Sequence, residues 1–157
     1  MEKKLVIRPM EIADLPSVKI IEDESFVDPW SEQDLTYELL VNPLAELLVL
    51  TYDEQILGFA NYWVTFDSVS IAQIAIYPPA RGAGLGLMLL KDVLHRISLL
   101  EEVKMITLEV RENNLAARKL YLKAGFHVSH LKPSYYYNGD NAIYMIKENV
   151  HVSNSSD

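Results

Sequence analysis

The sequence contains no cysteine. That absence removes disulfides, thiolate nucleophiles and Cys-ligated zinc together, and it suits a reducing compartment. Glycine and proline are scarce, at 6 and 7 of 157 residues, which excludes collagen-like and linker-like chains. Positive charge is in deficit: 14 Lys and Arg stand against 22 Asp and Glu, for a formal net charge of −8. A duplex-binding module draws non-specific affinity from a basic stripe that neutralises phosphates, so general nucleic-acid binding is not expected. An acidic chain suits a partner that carries positive charge, such as an amine or a basic protein tail. No apolar run reaches the ~20 residues of a membrane helix. Met1-Glu2-Lys3-Lys4 leads straight into a strand-like run, with no leader pattern. A cytoplasmic protein with no membrane contact is the expectation.

Half of the residues are apolar and 23% are charged, enough apolar surface to offset chain entropy with a packed core. The length predicts one domain over residues 1–150, followed by a polar, frayed tail from His151 to Asp157. Lys4–Arg8 reads as a strand closed by Pro9, and Asp14 as the N-cap of a helix with Leu15, Val18 and Ile21 on one face. Ser31 and Asp34 form a capping-box pattern for a second helix ending near Asn42-Pro43. Leu47–Tyr52 and Ile56–Val64 read as a hairpin around Asp53-Glu54-Gln55, and Val69–Ile76 as a further strand. A helix from about Leu85 to Leu99 follows, then a strand over Val103–Val110. Asn114 opens a helix that Gly125 stops, and Phe126–Leu131 with Ala142–Ile146 closes the chain as a strand pair. The expectation is an α/β protein of the α+β type, with a mixed, mostly antiparallel sheet flanked by helices.

The strongest local signal is a strand, a tight glycine loop and a helix: Gln73-Ile74-Ala75-Ile76, then Arg81-Gly82-Ala83-Gly84-Leu85-Gly86, then the helix. A helix N-terminus offers unpaired N–H groups and a positive dipole end, and glycines let the backbone approach a phosphate closely. The nucleoside-triphosphate loop needs Gly-Lys-Ser/Thr, but Gly86 is followed by Leu87-Met88; the dinucleotide fingerprint needs its third glycine where Leu87 stands. A glycine turn without a ligand remains the alternative when the loop is read alone.

Arg81-x-x-Gly84-x-Gly86 after that strand resembles the acyl-coenzyme A signature of the GNAT N-acetyltransferase superfamily. The resemblance continues through Leu108-Glu109-Val110-Arg111, Asn113-Asn114, Ala116-Ala117, Leu120-Tyr121 and Gly125-Phe126. With Pro29-Trp30-Ser31-Glu32 and Tyr135-Tyr136 followed by Asp140–Met145, these blocks are similar to the bacterial ribosomal-protein-alanine N-acetyltransferases. The likeness runs to about residue 147, with Pro78-Pro79-Ala80 in place of the more usual polar residues before the loop. It implies the GNAT fold, with acetyl-coenzyme A as co-substrate and no metal. The acceptor it implies is a protein N-terminal amine, namely the N-terminal alanine of a small-subunit ribosomal protein. It further implies main-chain contacts to the cofactor from Ile74, Ala75 and Ile76. Arg81, Gly82, Ala83, Gly84, Leu85, Gly86 and Leu87 would cradle the pyrophosphate, and Asn114 would touch the cofactor.

In this family the position of Glu109 is the general base and that of Tyr121 the proton donor to the departing thiolate. From pattern alone, Glu109 is equally a solvated strand residue and Tyr121 a half-buried core tyrosine. A carboxylate with an ordinary pKa of about 4.3 matches an α-amine near 7.7–8.0 better than a lysine near 10.4, which favours an N-terminus over a side chain. Transfer from a phenol near 10 to a thiolate near 8.5 is uphill by about 2 kcal/mol, so Tyr121 fits a hydrogen-bond donor to the developing charge. Direct attack by the amine needs no nucleophilic Cys or Ser. His127 and His130 lack a third partner for a metal. Arg118, Lys119 and Lys123 read as a solvated helix face. Trp30, Tyr135 and Tyr136 are candidates for a peptide groove. A GNAT enzyme acting on a small amine and a non-catalytic acyl-coenzyme A-binding module are the alternative readings.

Overall fold

Asp53 and Glu54 both take positive φ, 50° and 68°, the pairing of a tight primed hairpin turn. Strand β2 (Ala45–Tyr52) therefore returns antiparallel as β3 (Gln55–Val64). Around this hairpin the computed structural model, which describes residues 4–152, builds a seven-stranded sheet. The other strands are β1 (Leu5–Pro9), β4 (Ser68–Ile76), β5 (Met105–Arg111), β6 (His127–Lys132) and β7 (Ala142–Glu148), in the order β1-β2-β3-β4-β5-β7-β6. Every pairing is antiparallel except β4 with β5. The expected mixed, mostly antiparallel sheet with flanking helices is what forms.

Helices α3 (Leu85–Ser98) and α4 (Leu115–Lys123) cover one face, and α1 (Leu15–Ser25) and α2 (Glu32–Leu40) cover the other. On the α3 side Leu89, Leu90, Val93 and Ile97 pack against Ile71, Ile106, Leu108 and Met145. Opposite them, Val18, Ile21 and Leu35 pack on Val49 and Phe59.

Strand β4 changes face partway along. Tyr62 pairs with Ile71 and Asn61 with Gln73, so Ala72 is an extra residue in the ladder. Such a bulge bends its strand and resets the side-chain alternation. Ile71 therefore packs with the α3 side while Gln73 and Ala75 point to the α1 side, and Ile74 and Ile76 return to the α3 side. The parallel ladder stops at the same place: β4 and β5 pair only through Ser68–Met105, Val69–Ile106 and Ser70–Thr107. Beyond it the two strands part, and the sheet is split where the site lies.

Ser31 and Asp34 form the expected capping box, Ser31 Oγ accepting from Asp34 N at 3.0 Å. Asp14 does not cap α1 with its side chain. Its carboxylate accepts from Glu11 N at 2.8 Å and from Arg8 at 2.7 and 2.9 Å, because a short 3-10 turn precedes the helix and competes for it. Gly125, at φ 100°, ends α4 with Phe126 N–H donating to Tyr121 O at 3.0 Å. The tail expected to fray lies outside the described residues from 153 on; His151 and Val152 are hydrogen-bonded to Val103 O and Ser98 O.

Candidate active site

Gly82 and Gly84 carry φ of 86° and 81°, a left-handed backbone that a side chain disfavours. They turn the chain from Pro78-Pro79-Ala80 into α3, with Gly84 as its N-cap. Helix α3 thus starts beside the split with its unpaired amides exposed. Gly86 lies inside α3, within the helix expected from about Leu85, and does not share the left-handed backbone of the other two; a Cβ there would meet Leu120 and Ile76 at 3.6 and 3.7 Å, ordinary contact distances.

A cavity of about 640 Å³ lies between this loop, the end of β4 and helix α4. Ile74, Ala75, Ile76, Arg81, Gly82, Gly84, Leu85, Gly86, Leu87, Asn114 and Tyr121 all line it, so eleven of the thirteen expected site residues share one wall. Ala83 is exposed and is not on that wall, and Glu109 stands apart from it. Tyr77 N–H donates to Leu57 O on β3 at 2.7 Å. Antiparallel alternation then turns the main chain of Ile74 and Ile76, rather than that of Ala75, toward the opened edge.

Arg81 is spent on the protein. Its Nε donates to Ile76 O and its Nη2 to Ser25 Oγ, both at 2.9 Å, which ties the glycine loop to the ends of β4 and α1. Asn114 caps α4, Oδ1 accepting from Ala117 N at 3.2 Å; its amide nitrogen makes no hydrogen bond among the described residues. Arg118 donates to Glu112 O, whereas Lys119 and Lys123 stand on the cavity wall.

Tyr121 is buried edge-on against Phe126, with ring centroids 5.8 Å apart. Its hydroxyl makes no hydrogen bond among the described residues, and burial, helped by nearby Tyr136, pushes its pKa well up. A phenol held so firmly neutral can donate a hydrogen bond but gives up its proton reluctantly.

Glu109 and Arg111 leave β5 on the α1 side, opposite Leu108 and Val110. The Glu109 carboxylate is 31% exposed and accepts from Lys132 Nζ at 2.8 Å. Arg111, 13% exposed, donates to Asp28 at 2.9 Å, Asp140 at 2.7 Å and Asn138 at 3.0 Å, and lies 3.9 Å over the Tyr136 ring. It therefore pins the α1–α2 loop and the β6–β7 loop to β5. Tyr136 lies close enough to act electrostatically on Tyr121 and to be acted on by Glu109. Burial pushes it up to about 12, with Arg111 opposing and Glu109 adding to the rise.

Trp30 stacks on Trp63 at 6.3 Å and 15° and packs with the α1-side core, while Tyr135 is exposed and lies off the cavity wall. His130 tilts against Tyr144. Among the described residues no three His, Asp or Glu side chains gather as a metal site, and no helix is long and apolar enough to cross a membrane.

Sequence reasoning assigned no role to Lys132 or Glu22. Glu22 is fully buried in α1, its Oε1 accepting from Trp30 N and Gln73 Nε2 at 2.7 Å each. Its signal was present, a charged residue four positions after Val18 on the apolar stripe. The Lys132–Glu109 pair spans 23 positions and two strands, and carries no local signal.

Residues 15–126 match the family model of the acetyltransferase (GNAT) family. The [ribosomal protein bS18]-alanine N-acetyltransferases of Salmonella typhimurium and Escherichia coli K12 are 35% and 33% identical to this chain. The first match covers 81% of this chain and 84% of the relative, the second 83% and 86%. The crystal structure of the ribosomal-protein-S18-alanine N-acetyltransferase from Escherichia coli superposes with a TM-score of 0.84 at 27% identity, covering 98% of this chain and 99% of that one. A spermidine N-acetyltransferase chimera shares the fold alone, at 19% identity and TM-score 0.76 over 92% of this chain and 96% of that one. With the glycine loop at the head of α3, the cavity beneath it and the match over residues 15–126, the chain belongs to the GNAT acetyltransferase family.

Proposed function

We propose that this protein transfers an acetyl group from acetyl-coenzyme A to the N-terminal α-amine of a protein, the acceptor being a ribosomal protein that begins with alanine. The observation that carries the reading is the split sheet. Glu109 leaves β5 just beyond the last β4–β5 pair, and Tyr121, whose hydroxyl makes no hydrogen bond among the described residues, lines the cavity. The names of the relatives support the choice of acceptor.

The cavity residues fit an acyl-coenzyme A. Positive-φ glycines with no Cβ leave the loop amides and the α3 N-terminus open to a pyrophosphate. The outward main chain of Ile74 and the outward N–H of Ile76, whose carbonyl Arg81 already holds, suit an amide-bearing arm lying along β4 as an added strand. Lys119 and Lys123 supply positive charge at the rim. When bound, the co-substrate supplies the thioester carbonyl that the amine attacks.

Glu109 takes the proton of the α-ammonium and so keeps the attacking nitrogen neutral. Tyr121 donates a hydrogen bond to the sulfur as it gains charge, and the proton from the amine completes the transfer. Holding amine and thioester together supplies much of the rate. The acceptor is cytoplasmic, and so is the reaction.

Acetyl-coenzyme A offered with N-terminal hexapeptides, polyamines and free lysine, with thiol release followed, tests this. The expected result is highest kcat/KM for the alanine-ended peptide and none for its blocked form. Preference for spermidine or lysine would replace the acceptor class, and absence of turnover with bound acetyl-coenzyme A would leave a binding module.

A further inference from the structure

Lys132 Nζ sits in a three-sided box. Glu109 Oε1 lies 2.8 Å away, the Tyr144 ring centroid 4.6 Å and the Tyr135 ring centroid 5.2 Å. A carboxylate with two aromatic faces is a general seat for an ammonium ion. The box is assembled across the sheet: Glu109 pairs with Tyr144, while Lys132 pairs with Ala142 and reaches back along β7 to the carboxylate. Arg111, the cation beside it, is committed to Asp28, Asp140 and Asn138. Lys132 is about one-third exposed and has no other hydrogen-bond partner among the described residues. Exposed ion pairs of this kind are weak, so this ammonium can be displaced at little cost.

We propose that Lys132 occupies the acceptor's ammonium seat in the unloaded enzyme, and that the acceptor's α-ammonium displaces it from Glu109 and the two tyrosine rings. This rests on the reading of Glu109 as the acceptor's base, and it makes Lys132 a competitor whose presence raises the acceptor KM. The displaced Lys132 swings into solvent from an edge strand that has room for it.

The test compares wild type, Lys132→Met and Lys132→Arg, using an alanine-ended hexapeptide at saturating acetyl-coenzyme A. Lys132→Met keeps the apolar stem and removes the competitor. Its peptide KM should fall about two- to five-fold, the range set by the weakness of exposed pairs, and kcat/KM should rise. Lys132→Arg keeps the charge and should hold KM near the wild-type value. In parallel, tetramethylammonium, which cannot be acetylated, is titrated into each protein and followed by NMR chemical shifts of the tyrosines. It should bind Lys132→Met more tightly than wild type. An unchanged or raised KM together with unchanged tetramethylammonium binding would overturn the proposal and leave Lys132 as a support for Glu109. If wild type ignores the peptide but Lys132→Met still gains affinity for tetramethylammonium, the acceptor reading fails while the seat stands.

Discussion

Ser70 and Thr107 are the last residues that β4 and β5 hold in common. Their hydroxyls lie 3.2 Å apart, and past them the strands diverge. The bulge at Ala72 bends β4 away immediately afterwards. One side of the opening receives the main chain of Ile74 and Ile76; the other carries Glu109 and Arg111. The chemistry is therefore concentrated where the sheet gives up its own hydrogen bonds: Arg81 Nε already holds the Ile76 carbonyl, and the other outward backbone groups are what a bound amide chain can satisfy.

The glycine loop makes two opposite predictions for neighbouring glycines. Gly84 sits at φ 81°, and a Cβ there meets nothing within 4 Å, so Gly84→Val introduces backbone strain of about 1–3 kcal/mol without a clash. Its melting temperature should fall, and acetyl-coenzyme A affinity measured by calorimetry should drop strongly. Gly86 is helical and its added Cβ finds ordinary contacts, so Gly86→Ala should raise stability by about 0.4–1 kcal/mol.

Tyr121→Phe removes a hydroxyl that makes no hydrogen bond within the described structure. Stability should stay within about 0.5 kcal/mol of wild type. Turnover should fall, and raising the pH should give little rescue, because deprotonation of the amine is untouched. Thermal melts and pH-dependent kcat measure both.

Glu22 is buried, and desolvation raises its pKa above the ordinary 4.5 despite hydrogen bonds from Trp30 and Gln73 that lower it. Among the described residues its Oε2 has no hydrogen-bond partner, nor do the buried Gln73 Oε1 and Asn61 Oδ1. The fold prefers the protonated acid. Its contribution is thus fully present below about pH 4.5 and is lost as pH rises through the raised native value. Glu22→Gln keeps an acceptor for Trp30 and Gln73 while removing the charge. It should be more stable than wild type at pH 8 by about 1 kcal/mol, a melting shift of about 2–4 °C. The gap should close as the pH falls toward 4.5. A gap that widens on acidification would contradict it.

Arg111→Met should loosen both loops that flank Glu109 and leave Asp28 and Asp140 without their cation. Because both carboxylates are partly exposed, the stability cost should be modest, about 1–2 kcal/mol. The peptide KM should rise while acetyl-coenzyme A affinity stays unchanged, since Arg111 is not on the cavity wall.

The sequence carried those parts of the site that are decided locally. A tight turn into a helix needs glycine at positive φ, and Gly82 and Gly84 announce that by residue type alone. Asn114 and Gly125 mark the ends of α4 for the same reason. Gly86 was less legible, because glycine inside a helix and glycine in a turn look alike in sequence. The split itself was not legible. The Ala72 bulge is a matter of register between β3 and β4, and nothing in Ser70-Ile71-Ala72-Gln73 specifies it without the partner strand. Asp14 was placed at the right helix end with the wrong partner, since Arg8 competes for it from the preceding strand. Lys132, Asp28 and Asp140 join the site through long-range contacts that no spacing rule anticipates.

Kinetics of Glu109→Gln on an alanine-ended peptide, from about pH 6.5 to 9.5, test the central claim most directly, because that range spans the α-amine pKa near 7.7–8.0. The substitution keeps size and hydrogen bonding but removes the basic carboxylate. Turnover near neutral pH should fall by roughly 10²–10⁴, and part of the loss should return as solvent supplies neutral amine at high pH. Acetyl-coenzyme A affinity should be unchanged, because Glu109 lies off the cavity wall. Near-wild-type turnover across the whole range would return Glu109 to the role of a solvated strand residue and remove the base from the mechanism.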